Sequence, residues 1–190
     1  MKSNALSADR VHVALIHHPV MDKNGETIAA AVTSLDLHDI ARAGKTYGIG
    51  AFHVVTPLVD QQDLVNRIIA HWVTGAGAAY NPDRRSALAL IQLEPDVDTL
   101  LARVETQLGT RPLTVVTSAR MENSDLDYAG LRELARDGRP IVLLFGTAWG
   151  LAPEIVAAAD YRLAPIEGGG TYNHLAVRSA VAIILDRMLA

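Results

Sequence analysis

Residues 141–151, IVLLFGTAWGL, decide how the rest of this chain is read. Ile141 to Phe145 form an unbroken apolar run, the pattern of a parallel strand buried on both faces. Gly146 ends the run and Gly150 follows four residues later, so the strand delivers a tight loop in which backbone groups are free to meet a ligand. Thr147 adds a hydroxyl to that loop and Trp149 a flat apolar face. Pro153 and Glu154 then open a helix, proline suiting the first turn and a carboxylate the positive end of the dipole. The candidate site therefore lies where this strand ends. A second glycine-bearing stretch, APIEGGGTYNHLAVRSAVAIIL at 164–185, echoes the first near the C-terminus.

Composition narrows the class. A chain of 190 residues that is 49% hydrophobic and 20% charged has enough apolar surface for a substantial core, and one folded domain spanning 1–190 is expected. There is no cysteine, which excludes disulfides, thiolate zinc sites and thiol nucleophiles; no metal ion is expected. Met1 to Arg10 is polar, reads as a flexible start and lacks the pattern of a signal peptide. No apolar run approaches the roughly 18 residues of a membrane span, so a cytoplasmic location is expected. A formal charge of −4 supplies no global basic field, so a nucleic acid would have to be met by a local patch. Lys45, Arg67, Arg84, Arg85 and Arg120 are candidates for one.

Along the chain, strands alternate with helices. Strands are predicted at 11–17, 51–57, 88–94, 113–119, 141–146 and 161–165, and helices at 36–48, 63–73, 96–109, 127–138, 154–160 and about 173–189. Leu64, Ile68 and Trp72 carry the apolar spacing of the second helix, and residues 75–82 read as a glycine-rich connector. Pro19 and the Lys23-Asn24-Gly25 turn mark the first loop. Six strands in this alternation mean an α/β fold with a mainly parallel sheet and helices on both faces. Ligands of such sheets bind outside the carboxyl ends of the strands. Here those ends carry His17 and His18, Thr117 and Ser118 before Arg120, Gly146 and Thr147, and the segment from Pro165 to Tyr172. The glycine motifs of dinucleotide and triphosphate binding are absent from the sequence.

Residues 143–156, LLFGTAWGLAPEIV, followed by the second glycine stretch and LDR, resemble the C-terminal motifs of the α/β-knot (SPOUT) RNA methyltransferases. An upstream segment agrees. Asp36, His38, Asp39 and Arg42, ahead of Tyr47-Gly48, lie where the ribose-methylating branch carries N-x-G-x-x-x-R and an aromatic-glycine pair. The resemblance spans residues 11–190. It implies a Rossmann-like sheet whose C-terminal part, about 113–190, is threaded into a trefoil knot that binds S-adenosylmethionine between its loops. It also implies a homodimer acting on RNA, either tRNA or rRNA. Carried over by motif, the cofactor pocket comprises Thr117, Ser118, Phe145, Gly146, Thr147, Trp149, Gly150, Leu151, Ile166, Gly168, Tyr172, Asn173 and Leu175. Arg42 is the implied substrate-facing residue, with His38 and Asp36 as candidates for a base or for positioning it.

Several assignments stay open on sequence alone. Arginine orients phosphate or stabilises negative charge but is a poor base, and Arg42 also reads as a solvated helix residue. Asp36, His38 and Asp39 read equally as helix-capping or surface groups. His17 and His18 face the substrate or serve the fold, while His174 and Arg178 sit a turn apart on the predicted terminal helix. Val177, Val181, Ile184, Leu185 and Met188 form a stripe for the core or for a partner subunit. Where ribose-methylating relatives carry L-N-V-S-V-A, this chain has Leu175 to Ala180, with Ala176 for the asparagine and Arg178 for the serine. The guanine-N1 branch places its aspartate base on a long linker before a further C-terminal domain, whereas this chain ends at its cofactor helix. Two alternatives to an RNA methyltransferase follow: a knotted binding protein without turnover, and a small-molecule α/β enzyme.

Overall fold

A computed structural model describes residues 7–190. Of the polar N-terminal segment, residues 1–6 lie outside the described residues, while Ala8–Arg10 form a 3-10 turn. The main sheet contains β1 (Val11–Ile16), β4 (Ala51–Val55), β5 (Ile91–Glu94), β6 (Leu113–Val116), β7 (Ile141–Gly146) and β8 (Tyr161–Arg162). Their order is β5-β4-β1-β7-β6-β8 and every pairing is parallel. A small hairpin, β2 (Val20–Met21) with β3 (Thr27–Ile28), occupies the first loop. The helices are α1 (Ser34–Tyr47), α2 (Val59–Val73), α3 (Ala76–Tyr80), α4 (Pro82–Leu88), α5 (Val97–Leu108), α6 (Tyr128–Arg136), α7 (Pro153–Ala158) and α8 (Val177–Leu189).

Strand alternation sends the side chains to two cores. Val13, Leu15, Phe52, Val54, Leu143 and Phe145 meet α1, α4, α6 and α8 on one face. Ala14, Ile16, Val55, Val116, Val142 and Leu144 meet α5, α7 and the hairpin on the other. The apolar stripe of α8 belongs to the first core: Val181, Ile184, Leu185 and Met188 are buried within the chain, with Val177 packed at the edge. Each such side chain contributes about 1.5–3 kcal/mol on burial, which docks α8 against α1 and α6.

Four expectations require correction. The connector at 75–82 is helical: Gly77 sits beneath Trp72, where a Cβ would come within 2.7 Å of the indole, and the Asn81 side chain caps α4 at Pro82. Consequently β5 begins at Ile91, not Leu88. On α2 the buried residue is Val65, with Ile68, Ile69 and Trp72 packed beside it, while Leu64 is exposed. Finally, α8 starts at Val177, because Ala176 is still extended (ψ 141°). His174 therefore precedes the helix and shares no helical face with Arg178.

Candidate active site

Three chain segments converge outside the carboxyl ends of β1, β6 and β7. They are the loop after β6, the loop after β7, and the extended stretch that leads from β8 into α8. Between them lies a cleft of about 720 Å³, within the usual range for small-molecule sites. Its walls include Thr117, Ser118, Phe145, Gly146, Thr147, Trp149, Gly150, Ile166, Asn173 and Leu175, all expected from the motifs. Leu151 is instead buried beneath the loop, bridged to Val20 and packed in the α5 and α7 core. Tyr172 is 78% exposed with its ring edge on His174, and neither it nor Gly168 lines the cleft.

The loop after β7 closes on itself and on the hairpin. A Cβ at Gly146 would stand 2.6 Å from the Leu151 nitrogen, so glycine serves the turn itself before it serves any ligand. Gly150 has φ +115°, a region that L side chains rarely adopt. Met21 N–H donates to the Gly150 carbonyl at 2.9 Å and Trp149 N–H to the Met21 carbonyl at 3.0 Å, which fastens the loop to β2. The hydroxyls expected to face a ligand are partly committed: Thr147 Oγ1 donates to the Ile16 carbonyl (3.0 Å) and Thr117 Oγ1 to the Leu144 carbonyl (3.1 Å). Asn173 Nδ2 donates to the Ala119 carbonyl at 3.2 Å, holding the stretch before α8 across the loop after β6.

Of the three catalytic candidates, one reaches the cleft. Asp36 lines it, 7% exposed, with its carboxylate accepting from Thr33 Oγ1 at 2.7 Å and paired to Arg178 at 3.3 Å. Arg178 pairs equally with Asp39 at 3.3 Å and clamps the start of α8 to α1. Arg42 faces a neighbouring hollow of about 360 Å³ formed with Asp39, Thr46, Arg178 and Ser179. His38 packs edge-on against Trp72, outside both. Burial, then the Arg84 cation, lowers its imidazole below the ordinary range. His17 is fully buried with both ring nitrogens unpartnered. Burial lowers it too, against the pull of the Asp36 carboxylate.

Sequence reasoning missed Tyr128, which lines the cleft from α6 with a buried hydroxyl that has no partner. Burial raises this phenol against the opposing pull of the Arg187 guanidinium, which lies 4.7 Å over its ring. The apolar residues around it gave no signal, since a tyrosine at the start of an amphipathic helix reads as packing. Ala30 and Ala31, on the short stretch between β3 and α1, complete the rim.

An open parallel sheet whose cleft sits beyond the ends of its central strands defines a doubly covered α/β ligand-binding protein. A family model described as SAM-dependent RNA methyltransferase matches residues 10–190, and the chain belongs to that family. It is 41% identical over 179 residues to a protein named tRNA (guanine-N(1)-)-methyltransferase from Oleidesulfovibrio alaskensis, covering 94% of this chain and 42% of that one. The chain thus spans less than half the length of this relative. It is 39% identical over 183 residues to an uncharacterized protein of Aquifex aeolicus, covering 96% and 89% respectively. In fold it is similar to the SpoU methyltransferase AviRb of Streptomyces viridochromogenes, solved in complex with AdoMet, with a TM-score of 0.59 at 19% identity over 100% of this chain and 62% of that one.

The residues present fit the family's cofactor. A nucleoside with an amino-acid arm needs apolar walls, backbone groups for the base and a few polar side chains. Phe145, Ile166 and Leu175, the glycine loop, and Tyr128 with Asn173 supply these.

Proposed function

We propose that this chain is an S-adenosylmethionine-dependent methyltransferase that modifies a nucleotide of tRNA or rRNA in the cytoplasm. The observation that carries the reading is the convergence of the three motif segments on one cleft with Asp36 at its edge. The cofactor would supply an electrophilic methyl group. The loop after β7 and the stretch before α8 would bind and orient it, with the Tyr128 ring on its wall. Asp36, held by Thr33 and Arg178, is the carboxylate placed to accept the proton that a ring nitrogen or hydroxyl gives up. Arg42, beside the cleft, would orient substrate and take no part in proton transfer. His38 has no catalytic part in this reading.

Two finer elements belong to it. The passage of residues 163–176 beside the loop after β6, through the Leu126–Leu163 bridge and the Asn173 bond, supports a trefoil knot over about 113–190 within one 1–190 unit. Leu35 and Val59, 61% and 67% exposed, support a homodimer, which sedimentation at micromolar concentration tests. A second reading, a binding protein without turnover, is favoured by the departures at Ala176 and Arg178, both on the cleft wall.

Calorimetric titration with S-adenosylmethionine, beside Gly146→Val, tests the cofactor site. Saturable binding lost in the variant is expected; no binding by the folded wild type, with or without total tRNA, refutes it. Methylation of total RNA then separates turnover from binding alone.

A further inference from the structure

The face formed by α1, α2 and α4 carries chemistry that the cleft does not use. Trp72, near the end of α2, is surrounded by polar rings and a cation. His38 of α1 meets it edge-on at 5.4 Å between centroids, His71 does so at 5.0 Å, and the Arg84 guanidinium of α4 lies 4.7 Å over its face. Stacking on an indole fixes the guanidinium plane and leaves its N–H edge free for an oxyanion. Among the described residues, neither Arg84 nor Arg42 is paired with a carboxylate. Asp39, the acid beside them on α1, is engaged by Arg178.

These cations connect to the cleft. Arg178 belongs to the walls of both the cleft and the neighbouring hollow, and Arg42 lines that hollow. Arg42 lies one turn from His38 on α1, and both Arg42 and Arg84 act on the His38 imidazole. Beyond the ion-paired Arg178 on the cleft wall, two arginines without a carboxylate partner thus lie side by side around His38, Arg42 and Arg84. A chain of regularly repeated phosphates meets such a series, whereas a small anion meets one member only.

We propose that the Arg84–Trp72 pair, with His38 and Arg42 beside it, binds the phosphodiester backbone of a single-stranded RNA segment leaving the cleft. This rests on the RNA methyltransferase reading and names the surface that holds the substrate outside the reaction site. One phosphate contact on single-stranded RNA changes the slope of log affinity against log salt by about 0.7, equivalent to about fivefold in affinity near 0.1 M salt.

The test measures binding of fluorescently labelled bulk tRNA and of a short oligouridylate over a salt series, with Arg84→Gln. The comparison variant is Arg136→Gln, which removes an equal charge on α6 where the arginine is already paired to Glu133. Arg84→Gln is expected to lose about fivefold in affinity and about 0.7 in slope, with S-adenosylmethionine affinity unchanged. Arg84→Lys, which keeps the charge without the stacked fork, is expected to keep the slope and lose about threefold. Loss in Arg84→Gln no greater than in Arg136→Gln overturns the proposal and leaves the methyltransferase reading standing. A wild-type protein that binds cofactor but neither RNA overturns both.

Discussion

Acidification is expected to unfold the protein in part through His12, a residue remote from the cleft. His12 on β1 and His53 on β4 lie under α5 with Nδ1 and Nε2 2.9 Å apart and rings stacked at 17°. His53 Nδ1 stands 3.5 Å from Glu94, whose carboxylate is buried and paired to Arg103 at 2.6 Å. Burial first, and repulsion from His53 second, lowers the His12 pKa from 6.5 to about 4. A folded state that resists protonation binds fewer protons than the unfolded chain. Stability is therefore fully present above 6.5 and is lost as the pH falls toward about 4. At about 1.4 kcal/mol per pH unit, that interval is worth about 3 kcal/mol, of which about 2 is lost between about pH 7 and about pH 5. This is a large share of a stability of about 5–15 kcal/mol. Urea denaturation at those two pH values, on the wild type and on His12→Gln, isolates the contribution, since the glutamine amide has both a donor and an acceptor to offer His53 but does not titrate. The variant is expected to lose about 2 kcal/mol less between the two pH values. Equal losses would refute the assignment of the acid sensitivity to His12.

Other perturbations probe the site and the core. Tyr128→Phe is expected to stabilise the ligand-free protein by about 1 kcal/mol in thermal melts, because an unpartnered buried hydroxyl is removed. Asp36→Asn is expected to lower methylation of total RNA by about 10²-fold with cofactor affinity retained, as measured by single-turnover methyl transfer. Gly146→Ala places a Cβ against the Leu151 nitrogen and is expected to cost about 1–3 kcal/mol in denaturant unfolding, with cofactor binding weakened at least tenfold. Leu185→Ala, in the core under α8, is expected to cost about 2–5 kcal/mol by the same measurement.

The sheet was legible because its strands are continuous apolar runs that end at glycine, proline or polar residues, and the ligand loops because they repeat that ending. The helices at 76–80 and 82–88 were not. Gly75, Gly77 and Asn81-Pro82 are breakers in isolation, yet Gly77 is needed for contact with Trp72 and the last pair is a capped helix start. Motif position pairs Asp36 with Arg42, but about one and two-thirds helical turns separate them around α1, so only the first turns to the cleft. The role of Arg178 was hidden for a related reason. Its two partners, Asp36 and Asp39, are 142 and 139 residues away, a distance at which no sequence period operates. The apolar stripe of α8 left core and interface open until packing resolved it.

Arg178 stands where the cleft and its neighbouring hollow share a wall, and its one guanidinium already divides itself between two carboxylates. A phosphate that drew it outward would release Asp36, and a ligand that drew it inward would release Asp39. Occupancy on one side is then expected to change the free energy of binding on the other, and any such change is reciprocal. Titrating each ligand in the absence and presence of the other measures that coupling: a non-additive pair is the expected result, and strictly additive affinities would show that Arg178 does not link the two sides.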